Sequence, residues 1–297
     1  MKLFWYDRPD GNLGDDLNPW LWPRLLPGLI DGEGAWLVGI GTLLNERLPP
    51  EGELVILGAG AGLGQRPVVD ARWRVFGVRG PLTAQALGLP PELAVGDPAI
   101  LAADFVAPAR ERRGVGFMPH YISMPYWDWR RTAEGMGLVF VDPQAPVDET
   151  LAQIAGLESL ISEAMHGVIV ADALRTPWVG LGIDPDFYDW KWRDWGLSVG
   201  VEPVIHRLPS LSDAALSPRN ALKRLALLLG ANVTPPPPPR STPLTIERAN
   251  AALCVLAERA PRQLSTDAAI AAAKARVRRA VERLRAEGPK VSAAVRP

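Results

Sequence analysis

The 297-residue chain has one cysteine, Cys254, and only three histidines. A lone thiol excludes an intramolecular disulfide and a cysteine-based zinc cluster, and the alanine-rich, helix-patterned stretch around it reads as the setting of a small buried side chain. Lysine plus arginine (32) and aspartate plus glutamate (33) nearly cancel, giving a net charge of -1. No global field therefore draws the chain to nucleic acid or to an acidic membrane. No uninterrupted apolar run reaches the length of a membrane span, and the opening MKLFWYDRPD turns charged and proline-containing too soon for a secretory leader, so a cytoplasmic chain is expected. What is abundant is apolar: 47% of residues are hydrophobic, enough for a substantial core. The 11 tryptophans cluster at Trp20 and Trp22, Trp127 and Trp129, and Trp190, Trp192 and Trp195, either as core groups or as faces for sugar rings.

Strand-like runs at Leu3–Tyr6, Trp36–Val38, Leu54–Leu57 and Arg74–Val78 alternate with helical patterns at Leu17–Leu26 and Pro81–Leu87. That alternation predicts a parallel sheet with crossover helices. Gly96-Asp97-Pro98 closes a further strand, and Val106–Gly114 reads as a linker. A second alternation follows, with strands at Val115–Met118 and Leu138–Val141 and helices at Tyr126–Glu134 and Asp148–Ile154. The expected fold class is α/β, with two Rossmann-like domains over residues 1–108 and 109–210 facing a cleft, a common place for ligands. Residues 211–297 are expected to form a helical extension. It comprises a helix at Pro218–Leu229, a stiff polyproline segment at Pro235–Pro239, and helices at Leu244–Glu258 and Thr266–Ala286. In the last helix Ile270, Val277, Val281 and Leu284 form an apolar stripe, with Lys274, Arg276, Arg278, Arg279, Arg283 and Arg285 mostly elsewhere. That basic face is either a solvated side of a packed helix or a contact for anionic lipid.

The segment from Leu160 to Lys191 carries the most chemistry. A β-rich run at Glu158–Ile161 ends at Ser162, Met165–Leu174 reads as a buried helix, and Trp178–Leu181 as the next strand. Loops at the carboxyl ends of strands are where open α/β sheets place ligands, and free N–H groups at a helix start favour phosphate or carboxylate. His166 stands there, with Lys191 as a nearby cation, either as a proton donor beside an anion or as a satisfied core histidine. Asn12, Gly14 and Asp15 follow the first strand, where Asp15 either meets a sugar hydroxyl or caps the next helix. The glycines of GAGAGLG, Gly58–Gly64, follow a strand, but Leu63 breaks the G-x-G-x-x-G spacing. The stretch reads instead as a turn that lets backbone approach a cleft. Asp184-Pro185-Asp186 reads as a turn and His206 as structural, and no metal site is expected.

The same segment resembles the carboxyl-terminal signature of the polysaccharide pyruvyl transferases. There, a histidine opens a small-residue helix after a strand, and a proline-containing strand leads to an aromatic stretch with a lysine. YDRPDGNLGDDLNPWLWPRLL is similar to that family's opening, and VGIGTLL, VILGAGAG, VFGVRGPLTAQAL and VGDPAILA follow in its order. The likeness covers about Met1 to Arg207 and is greatest to the branch that adds pyruvate ketals to exopolysaccharide repeat units of the succinoglycan type. One departure stands out: many members have arginine two residues before the histidine, where this chain has Ala164.

The resemblance implies a GT-B-like fold and transfer of a pyruvyl group from phosphoenolpyruvate to a sugar, with no cofactor besides that donor. On this reading His166 is the acid, and Asp15 or Asp97 accepts the acceptor proton. Arg79, Lys191 and Arg175, with Gly60 and Ser162, hold the donor. Asn12, His120, Tyr121, Trp190 and Trp192 meet the acceptor, a lipid-linked glycan at the inner face of the cytoplasmic membrane. Two rivals share the architecture: a nucleotide-sugar glycosyltransferase and a non-catalytic glycan-assembly protein.

Overall fold

The computed structural model describes residues 1–62, 64–183, 187–209 and 243–288. The expected turn at Asp184–Asp186, helix at Pro218–Leu229 and polyproline spacer lie outside the described residues. Strands β1 (Lys2–Phe4), β2 (Trp36–Val38), β3 (Leu54–Leu57) and β4 (Trp73–Gly77) form one parallel sheet in sequential order. Strands β5 (Val115–Met118), β6 (Val139–Phe140), β7 (Ser159–Ser162), β8 (Trp178–Gly182) and β9 (Ile205–Arg207) form a second, also parallel, in the order β6-β5-β7-β8-β9. The central strands LVIL and SLIS are buried at every position, as strands covered by helices on both faces must be. In the second sheet the chain steps from β5 to β6 on one side and then back to β7 on the other. The carboxyl ends of β5 and β7 thus flank a topological switch point, the crevice that open α/β sheets use for ligands.

Helix α1 (Leu13–Leu25) begins four residues before the expected Leu17, which puts Asp15 and Asp16 in its first turn. It also tolerates Pro19 and Pro23. Pro19 has no N–H for the Asp15 carbonyl, and the Asn18 amide fills the gap by donating to that oxygen at 3.1 Å. Asn18 also accepts from Ile40 N–H at 2.9 Å and donates to Ile40 O at 2.9 Å, fixing α1 to the loop after β2. Next come α2 (Pro81–Ala86), α3 (Trp129–Gly135), α4 (Val147–Ala155), α5 (Met165–Ala173) and α6 (Asp189–Val199). The strand expected at Gly96-Asp97-Pro98 is instead a single bridge, Val78 to Ala94, followed by a 3-10 turn over Pro98–Phe105 that Asp97 caps by accepting from Ala99 N–H at 3.0 Å. The helix expected from Tyr126 is split into a 3-10 turn, Tyr121–Tyr126, and α3, because Asp128 caps a new start by accepting from Arg131 N–H.

The last two helices, α7 (Pro243–Arg259) and α8 (Asp267–Glu287), match their expected spans within two residues. They are parts of the cores rather than appendages. Ala249 and Leu253 of α7 pack with β5, β7 and β8, and the expected apolar stripe of α8 joins the core that runs through α1 and α5. Cys254, expected to be buried, is half-buried on α7. The basic side of α8 is spent on the body. Lys274 and Arg278 pair with Asp104, Arg276 donates to Val95 O and Ser198 O, Arg283 to Val75 O and Phe76 O, and Arg285 to Leu25 O. His206 sits in β9, paired in register with Leu181.

Candidate active site

A cavity of about 480 Å³ opens where the carboxyl ends of strands from both sheets meet. Its wall takes Tyr6, Arg8, Asn12 and Asp15 from the segment after β1, Thr42 and Arg47 from after β2, and His120 and Tyr121 from after β5. Glu163 to His166 come from after β7, and Tyr188 and Lys191 from after β8. Of the residues singled out in the sequence, Asn12, Asp15, His120, Tyr121, His166 and Lys191 are brought together here.

In α5 every residue except His166 is buried. The helix must cover the sheet, so its first turn alone is free to face the cavity. Its N-cap is Ala164, which offers no side-chain acceptor, and the Ser162 hydroxyl is turned to the Ala164 carbonyl at 2.9 Å. Among the described residues the first N–H groups of α5 thus have no side-chain acceptor and can take an anion, reinforced by the helix dipole. The His166 ring packs against Gly14 of α1, where an added Cβ would overlap Nδ1. Behind the ring, Nε2 faces Asp97 Oδ2 at 3.5 Å, and neither atom has a hydrogen-bond partner among the described residues. Asp97 is fully buried, so it can orient the imidazole but cannot touch an acceptor.

The other cavity histidine has a different character. Burial, then the charges of Lys191, His166 and Arg8, pulls the His120 pKa down to about 3, so its ring is neutral at working pH. Its ring stacks on Tyr121 with centroids 4.6 Å apart, and its backbone N–H donates to Glu163 Oε2 at 2.9 Å. Glu163 also accepts from Ile183 N–H at 2.8 Å, so one buried carboxylate ties together the loops after β5, β7 and β8.

Lys191 makes no hydrogen bond or ion pair with a described residue, and its pKa falls to about 8, chiefly through burial and then through Arg79. Asp15 accepts from Asn12 Nδ2 at 2.7 Å and from Arg8 Nε at 3.3 Å, yet burial outweighs these partners and raises its pKa. Arg8 lies over the Tyr121 ring at 4.3 Å, and Arg47 over Tyr6 at 5.6 Å.

Other residues expected at the donor or acceptor have different surroundings. Arg79 is fully buried and donates to Asp194 at 3.1 Å, Thr42 Oγ1 at 3.0 Å and Ala61 O at 3.3 Å. Gly60 is where it is because the guanidinium packs against its Cα. Asp194 also accepts from Thr83 N–H at 3.0 Å and Thr83 Oγ1 at 2.6 Å, which closes a buried bridge from the first sheet's loops to α6. Arg175 is on the far end of α5 with φ 61°, bound to Asp267 at 2.9 Å and to Ser265, where it anchors the start of α8. Ser162 and Trp192 are fully buried, Trp192 against Phe187. Trp190 stands behind Tyr188, 6.1 Å away, and both rings lie over Gly62. Sequence reasoning missed Tyr6, Arg8, Arg47, Glu163 and Tyr188. Glu163 alone had a signal, as an acid in the loop between a buried strand and the His166 helix.

A parallel α/β chain that gathers a helix start without a side-chain cap, a carboxylate-backed imidazole and an ammonium unpaired among the described residues in one cleft has the parts of an enzyme for anionic substrates. Residues 54–185, which include Asp97, His120, Glu163 and His166, match the family model for polysaccharide pyruvyl transferase. The chain is also 33% identical over 312 residues to the succinoglycan biosynthesis protein ExoV of Rhizobium meliloti (strain 1021), covering 96% of this chain and 99% of that protein. The chain belongs to the polysaccharide pyruvyl transferase family and is a transferase. No solved structure matches it.

Proposed function

We propose that this enzyme moves a pyruvyl group from phosphoenolpyruvate to two hydroxyls of a sugar in an exopolysaccharide repeat unit, as in succinoglycan assembly, and closes a ketal. The observation that carries this reading is the convergence on one cavity of the α5 N-terminus, His166 and Lys191, which has no ion pair among the described residues. Ala164 stands two residues before His166, where the resemblance implies an arginine in many family members. Of Arg79, Arg175 and Lys191, the three cations expected at the donor, Lys191 is the one in the cavity wall. The helix start and Lys191 take the donor's phosphate and carboxylate.

His166, held from behind by Asp97, protonates the methylene carbon and makes its neighbour electrophilic. One sugar hydroxyl adds there and gives its proton to Asp15, whose raised pKa suits a base. The bond to phosphate then breaks and the second hydroxyl closes the ring. Of the two hydroxyl protons, one balances that in the new methyl group and one leaves with inorganic phosphate. His120, neutral at working pH, serves as a hydrogen-bonding wall.

On the same reading the two sheets are the halves of a GT-B-like pair, residues 1–108 and 109–210, the enzyme works in the cytoplasm, and its acceptor is a lipid-linked glycan. Phosphoenolpyruvate is its donor, and no cofactor is needed besides it. No described helix is long and apolar enough to cross a membrane. Phosphoenolpyruvate is expected to raise the thermal midpoint by mass action, and a UDP-sugar to leave it unchanged. Stabilisation by the UDP-sugar alone would transfer the chain to the glycosyltransferase reading.

A further inference from the structure

A second depression, of about 870 Å³, lies beside the first, and Tyr6, Arg8, Arg47, Tyr121 and Ile122 line both. Resting on the pyruvyl-transfer reading, we propose that this groove is an acceptor subsite that holds neutral sugar residues adjoining the one that receives the ketal.

Three features of the groove support that occupant. Trp5 lines it and belongs to none of the three packed apolar cores, although its neighbours Phe4 and Tyr6 pack against one. A half-buried indole outside the cores has its face free for an apolar sugar face. Secondly, Asp7 and Asp10 in the lining offset Arg8 and Arg47, so the groove has polar hydrogen-bonding groups without a net field. That balance suits hydroxyls and disfavours a polyanion. Thirdly, the wall between the two cavities is Arg8 itself, with its Nε on Asp15 and its guanidinium over Tyr121. A glycan in the groove therefore lies against the residue that holds the base, and its reacting end reaches Asp15.

The two sides of the groove come from different halves of the chain, and they are joined by the hydrogen bond from Leu13 N–H to Pro143 O at 2.8 Å. Gln144, next to it, lines the groove, and its side chain makes no hydrogen bond to a described residue. The groove is thus built by the folded chain as a whole and remains open to a chain of sugars.

The test is a titration of the full chain, with phosphoenolpyruvate present, using a methyl glucoside and a ladder of neutral β-linked gluco-oligosaccharides. Affinity is expected to rise with oligosaccharide length. Trp5→Ala is expected to remove about tenfold of that gain, the scale of one lost aromatic contact. Gln144→Ala, which changes no packed core residue, is expected to remove part of it and guards against a folding defect in the tryptophan variant. Binding of phosphoenolpyruvate should be the same in all three proteins. Equal affinity along the ladder in the wild type, or an undiminished length effect in both variants, overturns the subsite. Loss of phosphoenolpyruvate binding in the wild type overturns the pyruvyl-transfer reading instead, so the two failures are separable.

Discussion

Replacing Lys191 by methionine should make the protein more stable and a poorer binder of its donor. The ammonium is half-buried with no hydrogen bond or ion pair to a described residue, and its pKa drops from 10.5 to about 8, mainly through burial. That displacement amounts to at most about 3 kcal/mol of disfavour for the charged form in the folded state. Because the folded pKa is the lower one, the cost is fully present below pH 8, fades between about 8 and 10.5, and is gone above. Methionine retains the apolar stem and removes the charge. The variant should therefore melt up to about 6 °C higher at pH 7, taking roughly 2 °C per kcal/mol for a chain of this size, with the gain vanishing by about pH 10.5.

Donor affinity should fall by about 10–100-fold, the range for a charge-assisted hydrogen bond. In the wild type, affinity should also decline as pH rises through 8, a dependence the variant lacks. Thermal unfolding and calorimetric titration over a pH series measure both. A variant that is less stable at pH 7, or that binds phosphoenolpyruvate as the wild type does, refutes the placement of a functional cation.

Two further substitutions probe the frame around the site. Gly14→Ala should cost stability by about 1–3 kcal/mol and displace the imidazole, since its Cβ meets the His166 ring, although alanine is the better helix former; chemical denaturation with a parallel phosphate-release assay would show both losses. Asp194→Asn leaves Arg79 buried with its ion pair broken and should destabilise by about 3–5 kcal/mol, as read from the denaturation midpoint, while a midpoint like the wild type's would mean that the bridge from the first sheet to α6 is slack.

Much of the frame was legible because parallel strands and buried helices write plain patterns. The fully buried runs of β3 and β7 and the small-residue helix α5, with His166 in its first turn, fall where the pattern puts them. Helix α6 and strand β9 were not read. The helix's DWKWRDWGLSV has a weak stripe, and it is fixed by Arg79 and Thr83, more than a hundred residues away, holding Asp194. The same distance hid the work of Arg79: beside a glycine turn it looks like a ligand for an anion, and only the fold supplies the carboxylate that occupies it. Asp97 was expected at the acceptor, and its place behind His166 was not legible because that relation exists only in three dimensions. Arg8, Tyr6 and Arg47 lie in irregular segments without periodicity, so nothing local marked them as one wall.

The central claim is that His166 supplies the proton that starts the transfer. The direct measurement is phosphate release from phosphoenolpyruvate and a glycan acceptor by His166→Gln, beside calorimetric donor binding by the same protein. Turnover is expected to fall by about 10²–10⁴-fold, with donor affinity changed far less because the α5 N-terminus and Lys191 remain. Near-normal phosphate release by the folded variant would contradict the account.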